Sequence, residues 1–322
     1  MSEYLWDRSG APDSEVENLE RLLEPLRQQR ELRLPPARQI PYAAIAASIL
    51  IGILAWRLLP SAASRPTSWT ISEVYGNVRA GHEAARTSAL LYTGEDLRTG
   101  DLSRVALEAE DFGRVDVRAG SEVRVVESGA GRQRMELRRG AIHALIWAPP
   151  RKFVVDTPSA RAIDLGCQYD LSVDANGNGL LTVETGWVAF EHRGLESFIP
   201  AGASCRTVRA RGPGTPFYTD ATPEFRQSLE QYEASGDLAS LNRVLKNARA
   251  KDALTLWHLV SRVPPSERAK VFDRFAQFVR VPHDVNRDRA LALDRGALDR
   301  CWTALNLDDA EWWRQWKRDW RE

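Results

Sequence analysis

Residues 40–59, IPYAAIAASILIGILAWRLL, constrain this chain more than any other stretch. From Ile40 to Trp56 there is no charged side chain, and Arg57 can snorkel to an interface while Leu58 and Leu59 stay in lipid. A helix rises about 1.5 Å per residue, so the run covers roughly the 30 Å hydrocarbon core of a bilayer. Pro41 falls in the first turn, where a missing N–H costs little, and Trp56 and Tyr42 fall where interfacial aromatics belong. The competing reading is a buried core helix, but soluble helices of this size normally show a polar stripe and this run has none. The expectation is a single transmembrane helix.

Arg27, Arg30, Arg33 and Arg38 crowd the N-terminal flank, whereas Arg57 and Arg65 stand alone on the other. The positive-inside rule then keeps the N-terminus in the cytoplasm and exports everything after Pro60. PSAAS at 60–64 loosely resembles a cleavage site, but the segment ahead of the run is too long for a signal n-region, which favours an uncleaved signal-anchor. The parts expected are a cytoplasmic amphipathic segment (1–39), the span (40–59), a linker (60–68), a β domain (69–216) and an α-helical domain (217–322).

Within 1–39, Val16, Leu19, Leu22, Leu23 and Leu26 recur at the three-and-four spacing of an amphipathic helix, behind a Ser14-x-x-Glu17 capping box. Pro35 and Pro36 stop it before the membrane. So short a helix is marginal alone in water, and its stripe needs cover: a second copy, another membrane chain or a cytoplasmic protein. Lying on the lipid surface is the alternative, although the polar face is more acidic than such helices prefer. A protein partner is favoured.

After the linker the pattern becomes alternation: Val105-x-Leu107-x-Ala109, Val115-x-Val117, Val123-x-Val125, Met135-x-Leu137 and Tyr169-x-Leu171-x-Val173. Glycines and an Asn176-Gly177 pair punctuate the runs, so an all-β sandwich or roll is expected. GEDLRTG at 94–100, followed by SRVAL at 103–107, resembles the signature of FecR-type domains, the outer halves of membrane-spanning sigma-factor regulators. LRRG at 137–140, FVVDTP at 153–158, AIDLG at 162–166 and VETGWV at 183–188 follow in the same order. The family commonly has Gly-Thr-x-F where this chain has Gly166-Cys167-Gln168-Tyr169, and its cytoplasmic helical domain is much reduced here. The resemblance implies a bacterial inner-membrane protein with its C-terminal parts in the periplasm. It also implies a sigma factor as partner of the N-terminal helix, and an envelope protein or ligand at the β domain.

The motif residues Gly94, Asp96, Thr99, Gly100, Gly166 and Gly186 have structural explanations. Gly94, Gly100, Gly140 and Gly186 are expected to supply positive φ at turns, and Thr99 and Thr157 to bond local backbone. Asp174 to Gly179 resembles part of a calcium loop but lacks the downstream glutamate, so a hairpin turn is expected. Cys167 and Cys205 both sit on predicted strands on the exported side. A disulfide between them would close a loop of about forty residues and stabilise the domain by roughly 3–4 kcal/mol; two buried free thiols are the other reading.

Past Pro216 five apolar stripes at helical spacing (Phe225/Leu229/Tyr232 to Leu298/Trp302/Leu305) suggest a compact helical bundle. Trp312, Trp313, Trp316 and Trp320 line one side of a terminal helix that docks on its own domain or meets lipid or a partner.

Basic and acidic residues balance at 44 each, so no global field recruits nucleic acid. Three cysteines without C-x-x-C exclude a zinc knuckle, and the histidines show no metal-binding or metalloprotease spacing. No nucleophile elbow, phosphate loop or dinucleotide fingerprint is present. The chain is therefore expected to be non-enzymatic, with no cofactor, metal or catalytic residue. Two functions remain open: a regulator passing an envelope signal to a sigma factor, and a membrane-anchored scaffold binding protein or polysaccharide.

Overall fold

The computed structural model describes residues 14–26, 69–129 and 131–307. The expected span, the linker and the Trp312–Trp320 face lie outside the described residues; among those described, no helix is long and apolar enough to cross a membrane. The chain divides into two units, Met1–Ala62 and Ala63–Glu322.

In the first unit α1 (Ser14–Leu23) runs into a 3-10 turn at Glu24–Leu26. Glu15 and Glu17 stand in its first turn and Arg21 in its last, which suits the helix dipole at both ends. Leu19, Leu22 and Leu23 are 60%, 75% and 51% exposed, so within this unit the stripe is uncovered. The side chains of Val16 and Leu26 lie outside the description.

The second unit opens with β1 (Trp69–Tyr75), β2 (Val78–Ala80), β3 (Glu83–Ala84), β4 (Leu90–Leu91), β5 (Asp96–Thr99) and β6 (Arg104–Ala109). Then come β7 (Gly113–Val117), β8 (Glu122–Gly129), β9 (Arg132–Ile146), β10 (Phe153–Asp156), β11 (Arg161–Asp164) and β12 (Gln168–Val173). Last are β13 (Gly179–Thr185), β14 (Trp187–His192), β15 (Leu195–Pro200), β16 (Ala203–Val208), β17 (Gly212–Pro213) and β18 (Phe217–Tyr218). The final strand lies just past the expected domain boundary at residue 216.

These strands make two sheets joined by β9. The first runs β4–β1–β6–β7–β9–β12–β13–β16, with β17 and β18 on β16. The second runs β3–β2–β5–β8–β9–β10–β11–β14–β15, antiparallel except where β9 meets β10. Alternation does what the sequence predicts: Val115 and Val117, Met135 and Leu137, Tyr169 and Leu171 face a shared core and their neighbours face out. Across that core Trp69 meets Phe153 with ring centroids 5.7 Å apart, and the Trp69 indole N–H donates to Gln133 at 3.0 Å.

The bend in β9 falls at Gly140. Residues before it pair in the second sheet and residues from it onward in the first. Its φ is +91°, and a Cβ there would lie 2.4 Å from the Ser121 Cα. Ser121 pins the corner: its Oγ accepts from Ala141 N at 2.9 Å and donates to Ala141 O at 3.2 Å.

Helices α2 (Pro223–Ser235), α3 (Leu238–Asn247), α4 (Ala253–Arg262), α5 (Pro265–Phe278), α6 (Arg287–Leu291) and α7 (Arg295–Ala304) follow. Thr222, Asp237, Asn286 and Asp294 cap α2, α3, α6 and α7 with side-chain acceptors, as the Ser/Thr/Asp/Asn preference at N-caps dictates. The helices pack on the β14–β15 side and share its core rather than forming a separate bundle. Trp302 lies 5.9 Å from Trp187, 5.7 Å from Phe198 and 4.7 Å from Trp257, between ring centroids. His258 Nε2 accepts from Phe198 N at 3.1 Å, while its Nδ1 lies 2.9 Å from Leu254 O, which fits a neutral ring protonated at Nδ1. Arg262 donates to the carbonyls of Glu196 and Pro213, and Thr255 to that of Pro216.

Candidate functional site

The residues singled out around 94–100 converge on the β9 corner. Thr99, at the end of β5, donates to Arg118 O at 2.6 Å and accepts from Ser121 N at 2.9 Å. It therefore ties together backbone about twenty residues away, not its own turn as expected, and buttresses the residue that pins Gly140. Asp96 faces outward among Arg98, Arg124 and Arg138. Gly94, Gly166 and Gly186 have positive φ, but Gly100 does not; its small size instead admits Asn77 O, 3.3 Å from where a Cβ would be. Asp174 closes the β12–β13 hairpin by accepting from Asn176 N and Asn178 N, so that loop is a turn.

The expected Cys167–Cys205 disulfide is not formed. All three cysteines are free and buried. The reason is register: Gln168, beside Cys167, pairs with Thr185 on one side of β13, whereas Cys205 pairs with Leu181 on the other. Two strand spacings and four residue rises separate the cysteines by about 15 Å, twice the reach of a disulfide. The Cys167 thiol instead donates to Asp164 at 2.5 Å, and that of Cys205 to Gly214 O at 3.2 Å. Burial pushes the Cys205 thiol up to about 12, and burial with the Asp164 charge pushes Cys167 well above its usual range. Neither is a reactive thiolate.

Asp164 itself is 1% exposed. Desolvation raises its carboxyl to about 7, against the opposing pull of the Cys167 thiol and the Gly166 N–H. The Tyr169 hydroxyl is buried without a hydrogen-bond partner among the described residues. The side chains of Asp164, Cys167 and Tyr169 are all buried.

Among the described residues, a groove opens to solvent on the outer face of each sheet. On the outer face of the first sheet a groove of about 880 Å³ runs past Tyr75, Arg114, Arg118, His143 and Glu184. Neighbouring strands β9, β12 and β13 bring His143, Asp170 and Glu184 together, their ligand atoms within 4.8 Å of one another. His143 Nδ1 lies 3.2 Å from Asp170 Oδ1, and Arg118 closes on the same oxygen. Asp170 is thus already engaged by His143 and Arg118, and a cation entering between the three would have to displace Arg118. The other groove, on the outer face of the second sheet, measures about 860 Å³ and is lined by five arginines. No spacing in the sequence nominates either set, because each is assembled by pairing between strands far apart in the chain.

Residues 95–189 match the family model described as FecR protein. Two crystal structures of a "putative anti-sigma factor" from Parabacteroides distasonis ATCC 8503 resemble the chain, each at 15% identity and a TM-score of 0.34. The chain spans 64% of one and 74% of the other, which cover 42% and 47% of it in turn. No curated protein matches the chain. The match falls on the two-sheet body from the start of β5 to the middle of β14, and over residues 95–189 this chain carries a FecR domain.

Proposed function

We propose that this chain is an inner-membrane regulator that passes an envelope signal to a cytoplasmic sigma factor. The observation that carries the reading is the FecR domain at 95–189, since FecR-type domains are the outer halves of sigma-factor regulators. The exposed Leu19, Leu22 and Leu23 of α1 add to it, because a ten-residue helix with an uncovered stripe needs a partner to be stable. In this reading 40–59 is the span, α1 lies in the cytoplasm and the two-sheet body senses in the periplasm without catalysing a reaction. A single span transmits a conformational shift poorly, so altered oligomerisation or regulated cleavage is the simpler relay.

The test is transcriptional. Burying two carboxylates in an apolar contact costs several kcal/mol, so Leu19→Glu with Leu22→Glu in the full chain should change expression from the sigma factor's promoters by about tenfold or more. The amount of protein in the membrane should not change. Unaltered expression contradicts the reading.

A further inference from the structure

The arginine-lined groove follows from register on the second sheet. Arg132 and Arg134 of β9 share an outer face with Val154 and Asp156 of β10, set beside them by the parallel pairing. Ile163 and Arg161 of β11 continue that face, with Glu191 of β14 opposite Arg161. The turn before β10 adds Arg151, and the β14–β15 hairpin adds Arg193.

Charge in the groove is not balanced. Arg134 and Arg161 share the single carboxylate of Asp156, the latter at 2.9 Å. Arg132, Arg151 and Arg193 pair with no carboxylate among the described residues. Even with Glu191 and Glu196 counted, five arginines face three carboxylates in a chain whose charges balance overall. The backbone adds an independent sign. Arg151 and Arg193 have φ of +66° and +48°, a region that glycine or asparagine occupies at lower cost. Turn chemistry alone does not call for arginine at either position.

We infer that this groove binds a small polyanion carrying two or three phosphate or carboxylate groups. The guanidinium fork takes such oxyanions bidentately. The volume of about 860 Å³ fits a small-molecule site, and Val154, Ile163 and Leu195 give a compact skeleton an aliphatic floor. No Phe, Tyr or Trp among the described residues lines the groove, so a nucleobase has no stacking platform there. The site belongs to the two-sheet body and does not depend on what α1 binds.

The test uses the full chain in detergent micelles at low salt, titrated calorimetrically with pyrophosphate and, separately, with trigalacturonate. At least one should bind at one site per chain. Pyrophosphate alone assigns the phosphate class, trigalacturonate alone the carboxylate class, and both together an oxyanion site that does not discriminate. Arg151→Asn and Arg193→Asn should each weaken binding by about tenfold or more, the worth of a charge-assisted hydrogen bond. Because asparagine suits both turns, their melting temperatures should hold or rise. Binding of neither probe, equal affinity in parent and variants, or a lower melting temperature in both variants overturns the inference.

Discussion

Asp164 is a carboxylate placed where the rest of the core is apolar, and its proton is coupled to folding. In the folded chain it holds that proton up to about pH 7, while its ordinary value is 3.8. Between these limits the folded chain binds more protons than the unfolded one, so stability falls as pH rises through the window and levels off above it. Each pH unit carries about 1.4 kcal/mol, which bounds the loss at about 4 kcal/mol. Asparagine stays neutral and keeps an acceptor for the Gly166 N–H. Asp164→Asn should therefore flatten the slope between pH 4 and 7 in urea titrations and exceed the parent's stability at pH 8; an unchanged slope would assign the pH dependence to other groups. The AIDLG motif was legible in the sequence as one of the ordered motifs. That its aspartate faces inward was not, because alternation puts Asp164 on the side of Ala162 and a charge normally argues for the opposite face. The same register argument, invisible without strand pairing, separates Cys167 from Cys205.

At the scale of elements, alternation identified the long strands of the two-sheet body, since period two with one buried face has few other solutions. What it missed was continuity. Gly140 is expected at a turn between strands, yet β9 passes through it and changes sheets there. The physical reason is that one residue of positive φ, pinned by Ser121, re-aims a strand without ending it. Gly140→Ala combines that φ with a Cβ placed 2.4 Å from the Ser121 Cα. It should cost about 3 kcal/mol or more in chemical denaturation, at the upper end for single substitutions; a loss below about 1 kcal/mol would show that the corner can relax. In helix α4 the residues Ala253, Leu256, Trp257 and Val260 form one stripe at helical spacing, yet Leu254, Thr255, His258 and Leu259 are buried as well. Its buried Thr255 and His258 find partners in the backbone at Pro216 and Phe198, and a helix so widely covered leaves no single stripe to read.

For the molecule as a whole, the helices and the two sheets share one core around Trp302, Trp187, Phe198 and Trp257. The division expected near residue 216 marks a change of secondary structure within one compact unit. Both grooves are products of strand order, so the chemistry they hold could not be found from spacing along the chain. The FecR match lies in that body, whereas the exposed leucines of α1, legible from the sequence, stand uncovered within their own unit. We propose that these leucines meet a sigma factor. A photoreactive residue at Leu22 of the chain, activated in living cells and followed by mass spectrometry of the crosslinked species, is the decisive check. The expected product is a sigma factor joined to this chain; crosslinks only to a second copy of the chain, or to lipid, would overturn that proposal.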